Sequence, residues 1–171
     1  MNPRNELVTW EEVTRLVESL LGQFDQQFTV MVMITRGGIV PGGMLAEAMD
    51  IQSIYTASVD FPAELESNRQ PQSRFLAWPK FLQFPDSSNL EGQTVLVVDD
   101  VWGSGRTITA VRNRVVNSGG QPCTCVLHFN PFRNLFGKNL PDYYGATTDA
   151  FIIYPWETNP GLQKGMLGRI H

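Results

Sequence analysis

Residues 95–109 read VLVVDDVWGSGRTIT. Four apolar residues run directly into Asp99 and Asp100, and a Gly-Ser-Gly turn then leads into a stretch opening at Arg106. A short apolar run bounded by turn residues predicts a strand buried on both faces. Two carboxylates at its end are costly: ~4 Å apart they repel by about 1 kcal/mol in water and about 4 kcal/mol at an effective dielectric near 20. A fold keeps such a pair where a cation or hydroxyl donors meet it. Gly103, Ser104 and Gly105 allow close backbone approach. Their amides, with those of Arg106 and Thr107, fall at a predicted helix N-terminus, where partial positive charge favours phosphate. Ser104 and Thr107 add hydroxyls. One turn thus offers an anion cradle beside two acids suited to sugar hydroxyls or Mg²⁺, a layout that matches a sugar phosphate. Neither a GxxxxGK nor a GxGxxG pattern is present.

The rest of the chain repeats strand and helix in turn. Trp10, Val13, Leu16, Val17 and Leu20 recur at helical spacing and predict an amphipathic helix over 9–21. Thr9 and Glu12 form a capping box in which hydroxyl and carboxylate each take the other residue's amide proton. Strands are predicted at 28–34, 51–59, 94–100, 122–129 and 150–154, and further helices at 40–49 and 106–118. Alternation of this kind predicts an α/β fold, a mostly parallel central sheet with helices on both faces, in one domain over 1–171. In such sheets ligands sit beyond the carboxyl ends of the strands. Both unusual turns, 35–38 and 99–107, fall at that edge.

Residues 60–92 break the rhythm. Pro62, Pro71, Pro79 and Pro85 interrupt a polar stretch that ends in the apolar FLAWPKFLQF at 75–84. Connections this long in compact domains are usually functional or disordered, and the segment is expected to be a lid or a subunit contact. Arg69, Arg74 and Lys80 are its candidate anion contacts, against the plainer reading of solvated charge.

Composition excludes other classes. The net charge of −4, without a Lys/Arg run, argues against a nucleic-acid surface. No apolar run approaches the roughly 18 residues that span a bilayer, and MNPRNELVTW lacks a signal-peptide apolar core. A cytoplasmic protein without membrane or nucleic-acid partners is expected. Cys123 and Cys125, two apart on a strand, read as reduced, half-buried residues. His128 reads as a satisfied structural histidine, and Trp156 as packing.

The 95–109 segment resembles the phosphoribosyl-pyrophosphate (PRPP) motif of type I phosphoribosyltransferases. ITRGGIVPGGMLAEAMDI at 34–51 resembles the pyrophosphate loop and helix of bacterial xanthine-guanine enzymes of that family, FIIYPWE at 151–157 their base-binding hood segment, and TWEEV at 9–13 their N-terminal stretch. The resemblance implies the type I fold with a small hood from 1–12 and 130–171, a lid at about 60–92, and a dimer or tetramer. It implies Mg-dependent transfer of phosphoribose from PRPP to a nucleobase, a purine first. Asp99 and Asp100 would hold the ribose hydroxyls with Mg²⁺ nearby. Gly103, Ser104, Gly105, Arg106 and Thr107 would bind the 5-phosphate. Arg36, Gly37 and Gly38 would hold pyrophosphate, with a non-proline cis peptide expected between Arg36 and Gly37. Phe151 would stack on the base, the Ile152 backbone would meet its edge, and Glu157 would approach a second Mg²⁺.

Two positions depart from the 6-oxopurine pattern. Gly103 stands where an aspartate near the base N7 is usual. Asn130 stands where a lysine donates to the 6-oxygen, and an amide there both donates and accepts. Trp102 adds bulk at the loop. These departures motivate an alternative reading, a non-catalytic PRPP- or nucleotide-binding regulator on the same fold.

Overall fold

The computed structural model describes residues 4–62, 78–137 and 139–157. A six-stranded sheet forms its centre: β2 (Val30–Ile34), β3 (Ser53–Asp60), β4 (Lys80–Gln83), β5 (Thr94–Trp102), β6 (Gln121–Phe129) and β7 (Tyr143–Thr147). Their spatial order is β4-β3-β2-β5-β6-β7, with every neighbouring pair parallel except β3 and β4. The reversal of order around β2 and β5 leaves their C-terminal ends side by side, where α/β sheets hold ligands. A separate parallel pair joins β1 (Asn5–Leu7) to β8 (Phe151–Ile153).

Helices cover both faces, as the alternation predicts. Met31, Met33, Leu96, Val98, Cys125 and Leu127 pack with Val13, Val17 and Leu20 of α1 (Trp10–Leu21) and Leu45 of α2 (Ile39–Ala48). Val30, Val32, Val95, Val97 and Val126 pack with Ile108, Val111 and Val115 of α3 (Arg106–Asn117). Each fully buried aliphatic side chain contributes about 1.5–3 kcal/mol. The period of two sends successive residues to opposite layers, so one apolar run serves both. The Thr9–Glu12 capping box is present, with the Thr9 amide donating to the Glu12 carboxylate at 2.7 Å and the Glu12 amide to the Thr9 hydroxyl at 3.2 Å. Both cysteines are free, Cys125 buried and Cys123 half-buried. No helix among the described residues is long and apolar enough to cross a membrane.

Three strands escaped the sequence reading. The apolar signal of β7, YYGAT, is diluted by Gly145 and Thr147, yet it forms the sheet edge beside β6, within residues the sequence reading gave to the hood. β1 is three residues long and exposed. β4 lies inside the expected lid, where it continues the main sheet from β3; its Phe81 meets Phe84 edge-on, with the Arg114 guanidinium over both rings. Leu90, also in that segment, is buried in the core. Residues 63–77, with Arg69 and Arg74, lie outside the described residues. Lys80 pairs in register with Asp60 on the exposed end of β4.

Candidate active site

The site forms where the turns after β2, β5 and β6 meet β8. Asp99 and Asp100 stand half-buried near the end of β5. Asp99 accepts the Asp100 amide at 3.0 Å. Burial pushes the Asp99 carboxyl well above the ordinary range, and the charge of Asp100 adds to the rise. Burial likewise raises Asp100 to about 6; the Glu157 charge adds to it and the Val101 amide opposes it. Two acids held in this way call for a cation or for hydroxyl donors.

The turn after β2 approaches these acids closely. A Cβ on Gly37 would stand 2.5 Å from the Asp100 carboxyl, and one on Gly38 would stand 2.8 Å from the Ile34 carbonyl. At Gly38 a side chain would meet backbone of Val98 and Ile34, and at Gly37 it would displace the Asp100 carboxyl. The two residues differ in their amides. The Gly38 amide donates to the Ile34 carbonyl at 2.8 Å. The amides of Arg36 and Gly37 have no backbone partner among the described residues. The Arg36 side chain is exposed. The cis peptide bond falls one residue earlier than expected, between Thr35 and Arg36.

After β5 the chain turns through Gly103 and Ser104 to Gly105, whose φ of 79° favours glycine. α3 begins at once, with its first-turn amides turned to the site edge. The Arg106 amide meets the Ser104 hydroxyl at 3.4 Å. The Arg106 guanidinium lies over the Phe61 ring, 4.2 Å from its centroid. Thr107 lies half-buried in that first turn. Trp102 does not crowd the loop from the ligand side. Its indole is buried beneath Gly105, meets Phe129 edge-on and donates to Asn134 at 3.2 Å.

Beside the acids lies a cavity of about 140 Å³ lined by Asp100, Gly103, Asn130, Arg133, Phe151, Ile152, Tyr154 and Glu157, among others. The Phe151 ring is 49% exposed, while the Ile152 side chain is buried. Gly103 has open space where a side chain would be. Asn130 reaches the wall but is 1% exposed, and both ends of its amide are engaged: Nδ2 donates to the Ala150 carbonyl at 3.3 Å and Oδ1 accepts the Phe132 amide at 3.1 Å. These two bonds pin the turn, and each end of the amide keeps one further hydrogen-bonding capacity. Glu157 accepts the Tyr154 amide at 2.8 Å. No group of three or more metal-ligating side chains stands together among the described residues.

The phosphoribosyl transferase domain family matches residues 5–135, which include both turns and the paired acids. The chain belongs to that family. Among its relatives is the xanthine-guanine phosphoribosyltransferase of Gluconobacter oxydans (strain 621H), 29% identical over 158 residues that cover 90% of this chain and 84% of that protein. Among solved structures, a purine phosphoribosyltransferase from Pyrococcus horikoshii Ot3 superposes with a TM-score of 0.73 at 25% identity, covering 91% of this chain and 95% of that one. A hypothetical protein from Neisseria gonorrhoeae with bound ppGpp superposes with a TM-score of 0.76 at 22% identity, covering 98% and 97%.

In this phosphoribosyltransferase the sequence reading missed Arg133 and Tyr154 of the cavity wall, the two there that add a polar side chain. Arg133 follows Asn130 in the turn closed by the Arg133 amide and the Asn130 carbonyl at 3.3 Å. Its position three residues beyond the altered lysine site was the available signal. Tyr154, whose hydroxyl donates to the Asp100 carbonyl at 2.9 Å, looks in sequence like ordinary strand packing.

Proposed function

We infer that this phosphoribosyltransferase transfers phosphoribose from Mg-bound PRPP to a purine bearing an exocyclic oxygen and releases pyrophosphate. The observation that carries this reading is the cavity joining Asp100 to Phe151 with Arg133 on its wall. A half-exposed aromatic ring suits stacking on a flat base. β8 pairs with β1 on one side, which leaves the backbone of Ile152 on the other edge for the base. Arg133 offers donors and no acceptor, so it selects a base that presents oxygen. The relatives named for xanthine and guanine support the same class.

Asp99 and Asp100 fit Mg²⁺: burial raises both, the Asp100 charge adds to the rise at Asp99 and the Glu157 charge to that at Asp100, and a divalent cation relieves each effect. Two carboxylates with substrate oxygens are the usual manner of holding Mg²⁺. When bound, the ion supplies positive charge to the departing pyrophosphate. The residues do the rest. Asp99 and Asp100 accept hydrogen bonds from the ribose hydroxyls and fix the ring. The amides of Gly103, Ser104, Gly105, Arg106 and Thr107 hold the 5-phosphate at the N-terminus of α3. The Arg36 guanidinium and the Gly37 amide meet pyrophosphate. Phe151 and Ile152 hold the base over the anomeric carbon, so that positioning and electrostatics lower the barrier together.

Competition tests the base class. PRPP and Mg²⁺ are incubated with an equimolar mixture of guanine, xanthine, hypoxanthine, adenine and uracil, and the nucleotides are separated. The reading expects an oxopurine nucleotide as the main product. Uridine or adenosine monophosphate as the main product would overturn it.

A further inference from the structure

Tyr154 occupies a junction that the reaction as described does not use. Its ring is 1% exposed and stacks on Trp156 at 4.5 Å with the planes 5° apart. Trp156 in turn meets Trp10 of α1 at 5.9 Å. The Tyr154 amide is held by Glu157. Its hydroxyl donates to the Asp100 backbone carbonyl at 2.9 Å and lies 2.8 Å from Nδ1 of His128. The bond to Asp100 ties the residue that directly follows β8 to the acid end of β5.

The hydroxyl has one proton, and it goes to Asp100. At His128 the hydroxyl therefore accepts, and Nδ1 carries the donated hydrogen. His128 is 5% exposed at the end of β6, in register with Val101. Three strand ends thus meet at one oxygen. β5 carries the acids that hold ribose, β8 carries the base shelf two residues before Tyr154, and β6 supplies the donor that aims the hydroxyl.

We propose that Tyr154 and His128 form a positioning pair that sets the distance between the base shelf and the ribose-binding acids in this enzyme. The proposal rests on the transfer reaction inferred above. Attack requires the base nitrogen in line with the anomeric carbon, and a displacement of about 1 Å in such a geometry lowers rates on the order of 100-fold. β5 is held between β2 and β6 whether or not the link is made, so its loss moves the shelf rather than the acids, and PRPP binding is retained. Because both act through one oxygen, removal of either releases the same link.

The test compares Tyr154→Phe, His128→Leu, the double variant and His128→Asn, each with its melting curve. An asparagine amide retains a donor for the hydroxyl. The expected result is a kcat lowered roughly 10- to 100-fold in Tyr154→Phe and His128→Leu. KM for PRPP stays unchanged, the double variant is no worse than the single ones, and His128→Asn stays near wild type. A kcat within about twofold of wild type in all variants would overturn the proposal. So would losses confined to KM for PRPP, or multiplicative losses in the double variant.

If the wild type transfers phosphoribose to no base, the functional reading fails, and the pair is then judged by binding alone. Titration calorimetry with guanosine monophosphate, which spans both halves, and with pyrophosphate, which spans one, decides. Weaker nucleotide binding with unchanged pyrophosphate binding in Tyr154→Phe supports the pair; equal or absent loss overturns it.

Discussion

Replacing Asp100 by asparagine separates what the site does for the reaction from what it does to the fold. The side chain keeps its shape and loses its charge. Burial pushes the Asp100 carboxyl up to about 6 from an ordinary 3.8. That difference of about two pH units, at 1.36 kcal/mol each, means the ionised carboxylate costs the fold about 3 kcal/mol. Between about pH 4 and 6 the folded state binds more protons than the unfolded state, so stability falls as pH rises through that window and levels off above it. Asp99 shares the burden, and the half-exposed site takes part of it up in solvent. Asp100→Asn is therefore expected to gain about 1–3 kcal/mol at pH 7.5, or roughly 2–12 °C in melting midpoint for a chain of this size. The gain should vanish near pH 4, where the wild-type carboxyl is protonated. Turnover should fall on the order of 1000-fold or more, because a ribose and cation contact is lost. Calorimetry in EDTA at both pH values, with a turnover assay, reads all three effects. A variant less stable than wild type at pH 7.5, or a gain of equal size at pH 4, would refute the electrostatic argument.

Other substitutions probe the neighbouring pieces. Gly37→Ala places a methyl against the Asp100 carboxyl and should lower kcat/KM for PRPP by about 100-fold or more, with nucleotide release measured in a coupled assay; near-normal kinetics would show that the turn yields easily. Gly103→Asp meets open space, so its melting curve should match wild type while hypoxanthine turnover rises; an unchanged rate would count against proton handling as the missing feature. Arg133→Gln should raise KM for the oxopurine roughly 10-fold, the loss of a charge-assisted bond, and leave KM for PRPP alone. An equal change in both would remove Arg133 from base selection.

How much of this was legible in the sequence follows from how local each signal is. The buried run at 95–98, the acids after it and the Gly-Ser-Gly turn are contiguous, so the strand, the acids at its end and the turn into α3 were readable together. The helices of both faces followed from the alternation. β4 was hidden because proline and polar neighbours surround it and its pairing partner, β3, lies about twenty residues away. β7 was hidden because its stability comes from packing beside β6 rather than from its own composition. The roles of side chains were least legible. Nothing in the sequence says that Asn130 spends both ends of its amide on Ala150 and Phe132, that the Arg106 guanidinium turns to Phe61, or that the Gly38 amide is tied to Ile34. Each is a contact between segments that only the folded chain brings together. Asp99 and Asp100 are the opposite case, since two adjacent charges at a strand end announce their own cost.

The most direct test of the account is pyrophosphate release from Mg-PRPP, measured with guanine or xanthine and in a matched control without base. The account predicts release with base well above the control and its loss in Asp100→Asn. Release no greater than the control in folded protein, with either base, would contradict it.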